Sequence, residues 1–458
     1  MPKWCMPQSP EQADGKHNKL LLLLILFLDL LGFTLIFPLI PDLLEHYLQQ
    51  AVGLPIDHWL VTFGQTVAAN LPGVAGEGGL IVVLGGLLAS IYSLLQFFTA
   101  PYWGRLSDRI GRRPVRLITS AGLAVSYLIW FLSASFTLFI LARVLGGVMS
   151  GNMGVASAAM ADMTKPEDRT KAMGMVGAAF GMGFIIGPAI GGLSALGSDG
   201  LQSLAPDLLH VFSAPALAAF VLSLISMVLN FGLFRETLSS RTDGGHLWID
   251  NPIALFARNL RTPGFGSVLL VNFLYVIVFA AYEFSFTFLY KLEFGLTPPE
   301  IGLIFLYMGV LLVLGQGGLV RVLTKRMPAK RMLLIGLAVI PLPTFLLAWV
   351  APSVALSLLV LLPISLGAAL IQPAIAGLAS RSGGPERQGV TLGLLRSAGS
   401  LGRAIGPLAG AYAYWTYGAE ITYLVIAVLF FLTFLFASRL RVQAYSDEPS
   451  TPAESQSP

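Results

Sequence analysis

The sequence predicts an all-α integral membrane protein, twelve transmembrane helices in two six-helix repeats, and three observations lead there. The first is composition. Of 458 residues, 55% are hydrophobic and only 11% are charged, with a mean hydropathy of +0.76, whereas an ordinary soluble domain carries about 25% charged residues. No soluble fold has enough interior to hide such a surface. Soluble enzymes with large charged faces, nucleic-acid binders and disordered regulators are therefore disfavoured from the outset. The second observation is a series of long apolar runs, and the third is a repeat within the chain.

Spanning the hydrocarbon takes about 20 mostly apolar residues in a helix, and the runs lack the period-2 alternation of a membrane barrel. The first covers 20–40, preceded by Lys16 and Lys19. It is too long for a signal-peptide core and has no clear small-residue cleavage site, so it reads as a retained helix. Runs at 79–103, 115–135, 137–162, 171–195 and 213–234 complete a first half of residues 19–235. The second half, 265–438, holds runs at 265–290, 301–323, 332–350, 353–379, 389–411 and 419–438. The connection between the halves is 236–264, where Ile253, Phe256 and Leu260 share a helical face opposite Arg258 and Arg261. That pattern fits a short interfacial helix or a solvated linker. Residues 1–18 read as a polar tail whose one cysteine, Cys5, has no internal disulfide partner. Residues 439–458, rich in Ser, Pro and Glu, read as a disordered tail.

Charge placement orients the bundle. Twenty-four of the 28 basic residues fall in the tails and loops of one side, among them Arg105, Arg109, Arg112, Arg113 and Arg116. Three more, Arg143, Arg396 and Arg403, lie inside runs, and Lys291 stands on the far side. The far-side loop 41–78 has Asp42, Glu45, Asp57 and Glu77 but no basic residue. By the positive-inside rule both termini are cytoplasmic. No Asn-x-Ser/Thr acceptor occurs, which fits a bacterial inner membrane and is compatible with an organelle.

The repeat pairs Pro166-Glu167 with Pro385-Glu386, Gly174 with Gly393, Gly183 with Gly402, Gly187-Pro188 with Gly406-Pro407 and Gly191 with Gly410, always 219 residues apart. The fifth and eleventh helices are thus equivalent elements of two parallel halves, the architecture of one large class of secondary transporters. A spacing of four puts the glycines on one helix face. They serve close helix packing, a moving seal between the halves, or both.

Between the second and third runs stands Gly104-x3-Asp108-Arg109-x-Gly111-Arg112-Arg113-Pro114. A tight turn needs glycine, and a positive-inside anchor explains the arginines but not their order. The string resembles the signature loop of the major facilitator superfamily. The likeness continues in Leu28-Asp29-x2-Gly32 with Pro38 and Pro41, which look like helix 1 of the tetracycline:cation antiporter branch. Ala100-Pro101, Arg143-x2-Gly146, Ala161-Asp162, the Gly183 to Gly192 stretch and Phe234-Arg235-Glu236-Thr237 are similar too. The resemblance implies a major facilitator fold and a monomeric carrier exporting small organic molecules by proton antiport and alternating access, with no enzymatic activity. It also implies a latch in which Asp108 meets the N-terminal end of helix 11 while Gly104 lets helices 2 and 11 touch, with Arg109, Gly111 and Arg112 completing it. The matching loop of the second half, Arg321 to Arg331, has no acid, so the latch is one-sided. Ser126 stands where tetracycline carriers have an acid in helix 3, and helix 9 has no acid at all. Vertebrate tetracycline-transporter-like relatives, with a Glu in helix 7 and arginines in helix 11, resemble this chain better.

Charges inside the runs carry the most information, because each costs a few kcal/mol at a helix centre. Asp29 in helix 1 and Glu283 in helix 7 are proton-coupling candidates, since a carboxylate in low dielectric takes up a proton near neutral pH. Arg143, Arg396 and Arg403 are substrate candidates, joined by the polar residues Tyr92, Gln96, Asn152, Asn272, Tyr282, Gln316 and Gln372. Helices 1, 4, 7 and 10 line the cavity in this superfamily. An alternative for Asp29 is a static pair with Arg143. Three embedded positive charges against two negative ones favour anions, so a uniporter or proton symporter for organic anions is the second reading, and a non-transporting scaffold or receptor the third. Trp130 and Phe286 are either lipid-facing or core. The five histidines lie outside the runs, and neither a metal site nor a nucleotide-binding glycine loop is legible, so no cofactor is expected.

Overall fold

A computed structural model describes residues 10–51, 53, 55–70, 77–165, 168–206, 209–238, 252–382 and 384–440. Cys5, Pro166-Glu167 and the tail beyond Leu440 lie outside the described residues, as does 239–251 of the connection. Among the described residues eleven helices are long and apolar enough to cross a membrane. We number α1 (His17–Gln50), α2 (Ile81–Ile110), α3 (Arg112–Phe131), α4 (Phe136–Asp162), α5 (Ala172–Leu204), α6 (Ser213–Gly232), α7 (Phe265–Leu292), α8 (Pro298–Leu323), α9 (Ala329–Leu347) and α10 (Val354–Ala379). The last, Gly393–Ser438, turns at Gly418, where φ is +78°. A side-chain-bearing residue rarely adopts that backbone angle, so the glycine divides two spans, α11 and α12, and the twelve expected runs are accounted for.

Local chemistry explains the irregular stretches. α9 breaks at Ile340, where Pro341 and Pro343 follow. α8 holds a π-helical turn over Gly315–Val320, a Gly-Gln-Gly-Gly stretch. The connection carries a helix at Pro252–Leu260, and Phe256 packs on Phe273 of α7 with ring centroids 5.1 Å apart. The far-side loop is more ordered than expected: α1 runs on through a helix Ile40–Ala51, and a further helix covers His58–Asn70. Asp57, fully buried, accepts hydrogen bonds from the backbone N–H groups of Phe136 (3.0 Å) and Thr137 (2.9 Å). An acid there complements the positive start of α4.

His17, His46 and His58 consequently sit on helices, contrary to expectation. His210, in the α5–α6 connection, has a defined tautomer. The Phe212 N–H donates to Nδ1 (3.2 Å), so Nε2 carries the hydrogen it gives to the Trp130 carbonyl (3.1 Å). Burial pushes its pKa down to about 4 and keeps it neutral.

The repeated glycines face inwards within each half. Side chains at Gly183, Gly187 and Gly191 of α5 would collide with Leu30, Thr34 and the Leu35 carbonyl of α1. In the second half, a Cβ at Gly402 would lie 3.1 Å from Val276, one at Gly406 2.5 Å from the Ile277 carbonyl, and one at Gly410 2.7 Å from the Ala281 carbonyl, all on α7. The row thus packs α5 closely on α1 and α11 on α7. Gly191→Ala is expected to destabilise by about 1–3 kcal/mol, because the obstacle is backbone. Gly174→Ala, with nothing within 4 Å, is expected to be neutral or stabilising. Thermal unfolding of the two purified variants checks the order.

Two other seams join the halves, and both splay apart along the bundle. Between α5 and α8, a Cβ at Gly192 would lie 2.9 Å from the Gly302 Cα, and one at Gly181 3.3 Å from Gln316. At Gly177 and Gly174 nothing lies within 4 Å. Between α2 and α11, Gly79 abuts Trp415 and a Cβ at Gly86 would meet Ala411 at 2.8 Å, whereas Gly104 again meets nothing. The halves therefore close at the end bearing Asp42 and Lys291, the far end, and open at the end bearing the arginine-rich loop, the basic end.

Candidate functional site

At the basic end the signature loop is held within the first half. Gly111, at φ +111°, makes the turn into α3. Arg112 pairs with Asp108 (2.6 Å) and Asp162 (2.8 Å) and donates to Ser107 Oγ (2.6 Å). Glu236 accepts from the N–H groups of Arg112 (2.9 Å) and Arg113 (3.1 Å), and from those of Thr237 and Leu238. Burial raises its pKa, but these four backbone donors outweigh burial and leave it below the ordinary value. The start of α11, where Asp108 is expected to meet the second half, falls at 383–390, whose side chains lie outside the described residues. Arg109 is engaged in a contact of its own.

Higher in the first half, Asp29 is walled in by α3, α4 and α6. Ser226 Oγ donates to its Oδ1 (2.5 Å), Asn152 Nδ2 to its Oδ2 (2.7 Å), and Arg116 Nη2 lies 3.9 Å from Oδ2. The Asp29–Arg143 pairing weighed as an alternative does not occur, and Arg116 takes that place. Arg116 is no loop residue: it is wholly buried, donates from Nε to Asn230 Oδ1 (3.0 Å) and lies over the Phe234 ring. A signal was present in its register, since Arg116 shares a helical face with Ser120, Leu123 and Tyr127, all buried. The embedded charges are therefore four positive against two negative.

Between the halves lies a cavity of about 50 Å³, room for a few water molecules. The first half contributes Phe33, Phe37, Phe139 and Arg143, the second Glu283, Phe284 and Arg403. Arg143 stacks on Tyr92, 4.5 Å from its ring centroid, and Arg403 on Phe184 at 5.9 Å. Arg403 also supplies the positive charge acting on Glu283. About two turns nearer the basic end of α11, Arg396 lies over Phe180 (5.1 Å), with Nη1 3.5 Å from the Met153 carbonyl. Both α11 arginines thus reach across to the first half, and Gln96 accepts from Ser400 there (3.2 Å). Beyond the cavity, Lys291 pairs with Asp42 across the far end.

The other expected site residues are dispersed. Asn152 serves Asp29, and Asn272 donates to the Leu395 carbonyl (2.9 Å), tying α7 to α11. Tyr282 is buried among Phe279, Phe286 and Tyr423. Gln316 packs near Gly181, and Gln372 is exposed. Trp130 and Phe286 are core. Among the described residues no cluster of three or more His, Cys, Asp or Glu could hold a metal.

Two repeated halves meeting around charged groups in an apolar bundle are built to move a solute, and fold and cavity together define a membrane transporter. The chain belongs to the Major Facilitator Superfamily, whose sequence profile matches residues 22–407 and, in a second match, 268–458. Mouse "Major facilitator superfamily domain-containing protein 10" is 35% identical over 445 residues, covering 95% of each chain. The "Tetracycline resistance protein, class C" of Escherichia coli is 28% identical over 396 residues, covering 86% of this chain and 89% of that one. The crystal structure of the human organic anion transporter MFSD10 (TETRAN) superposes with a TM-score of 0.71 at 30% identity, covering 94% of this chain and 100% of that chain. These relatives are transporters and not enzymes.

Proposed function

We propose that the chain carries small organic anions across its membrane by alternating access, coupled to protons through Glu283. It acts as a monomer, its halves 19–235 and 265–438 rocking about the cavity, with the basic end and both termini in the cytoplasm. The observation that carries this reading is the sharing of one apolar cavity by Arg143, Arg403 and Glu283. Arg116 is balanced by Asp29 outside the cavity, so the positive excess falls where a solute would bind. That the human relative is an organic anion transporter supports the same class.

An anion entering the cavity competes with the Glu283 carboxylate for Arg403, so that anion and proton are taken up together. Vesicles made acid outside are then expected to accumulate the anion. The second reading, efflux of organic molecules in exchange for protons, is favoured by the tetracycline resistance relatives and requires uptake into vesicles made acid inside. A panel of organic anions tested in reconstituted vesicles under both gradients separates the two. Arg403→Gln is expected to lower anion transport by about 30-fold or more, the cost of removing the charge that would pair with a desolvated anion, with Arg403→Lys retaining part of it. Undiminished transport by Arg403→Gln would sink the anion site.

A further inference from the structure

A second pocket lies away from the cavity, at the basic end, where the start of α1, the start of α3 and the end of α6 converge. It measures about 300 Å³ and is lined by His17, Asn18, Arg113, Leu233, Phe234 and Arg235. Among the described residues no carboxylate lines it. Its neighbour in sequence, Glu236, has turned its oxygens to backbone N–H groups of the α3 start and of its own segment, which fixes Arg113 at the pocket.

The walls are held rigid. Asn18 Oδ1 accepts from the Arg235 N–H (3.2 Å) and Asn18 Nδ2 donates to the Arg235 carbonyl (3.4 Å), joining α1 to α6. Arg113 Nη2 donates to the Phe231 carbonyl (2.5 Å), yet its Nε is buried with no hydrogen-bond partner. The Arg113 guanidinium nevertheless lines the pocket, where a charge-assisted bond to an anion is open to it. On the adjoining turns the bundle surface is strongly apolar: Leu20 is 59% exposed, and Phe231 on α6 is 69% exposed. A basic pocket opening at the membrane surface onto an apolar face matches a molecule with an anionic head and an apolar body.

We propose that this pocket binds a phosphate anion presented as the head group of an anionic phospholipid, with Arg113 as its principal donor and the acyl chains lying along Leu20 and Phe231. The site lies within the first half and does not depend on the transport reading.

Native mass spectrometry of the full-length protein in detergent tests it, with phosphatidylglycerol, phosphatidylcholine and inorganic phosphate offered separately. Phosphatidylglycerol is expected to be retained over phosphatidylcholine, and Arg113→Gln to weaken that retention about tenfold. His17→Gln, at the exposed edge of the pocket and outside the loop's hydrogen bonds, is expected to weaken it less while leaving thermal stability unchanged, which guards against a folding defect in the first variant. Equal retention of the two lipids, or retention of phosphatidylglycerol untouched by both variants, would overturn the proposal. Inorganic phosphate that displaces the lipid at comparable concentration would assign the pocket to a soluble phosphate ester and overturn the lipid reading.

Discussion

Replacing Arg116 by leucine is expected to cost the folded protein about 3–5 kcal/mol, the range measured when one partner of a buried ion pair is removed. Asp29 and Arg116 have essentially no exposed side-chain surface. Two neutral donors, Ser226 and Asn152, would remain on the carboxylate, but no positive charge would compensate it. The double variant Arg116→Leu/Asp29→Asn is expected to recover most of the loss, because two uncharged side chains of similar size leave no buried charge behind. Thermal unfolding and detergent-soluble yield of the two single variants and the double variant form a complete cycle. A single Arg116→Leu variant that melts with the wild type would show that the pair contributes nothing to holding α1, α3, α4 and α6 together.

The second large effect belongs to the other embedded acid. Glu283→Gln is expected to abolish accumulation driven by a pH gradient while preserving exchange of labelled for unlabelled substrate. A carboxamide fills the same space but cannot take and release a proton. One pH unit across the membrane is worth about 1.4 kcal/mol, up to tenfold accumulation per coupled proton, and all of it should vanish in the variant. Asp29→Asn is the informative contrast. Asp29 lies outside the cavity lining with both oxygens occupied, so its variant should keep gradient-driven transport in whatever fraction of the protein folds. Coupling lost in Asp29→Asn and kept in Glu283→Gln would assign the proton to the other carboxylate.

Much of the fold is legible in single stretches of chain. The apolar runs place the spans because partition into hydrocarbon depends on local composition, and the 219-residue offset of Gly183, Gly187 and Gly191 announces two equivalent helices. The same glycines show where such reading stops. Their spacing requires a close partner, but nothing in it distinguishes a partner within the half from one across the seam. α1 proves to be that partner, and Gly192, one residue further round the helix, meets Gly302 across the seam instead. The far-side helix Ile40–Ala51 is not legible as a span because it continues an apolar run with an amphipathic stretch.

The charged residues divide likewise. Glu283 and Arg403 stand out because a charge in an apolar run is conspicuous wherever it ends up, and both line the cavity. Arg116 was hidden by its neighbours Arg112 and Arg113, which made a buried arginine look like one more loop cation. Its partner was equally hidden, since Asp29 and Arg116 are 87 residues apart.

What the sequence determined by itself is the solvent: a membrane-spanning helical bundle, built twice, with an arginine-rich end and a few charges sealed inside. Each of these follows from quantities summed along the chain. What only the tertiary structure decided is which sealed charges come together, Asp29 paired with Arg116 and Glu283 in one cavity with Arg403, and which end of the bundle stands open. Those depend on the rotation of each helix about its own axis against its neighbours, and that angle is set by side-chain packing among all twelve helices together.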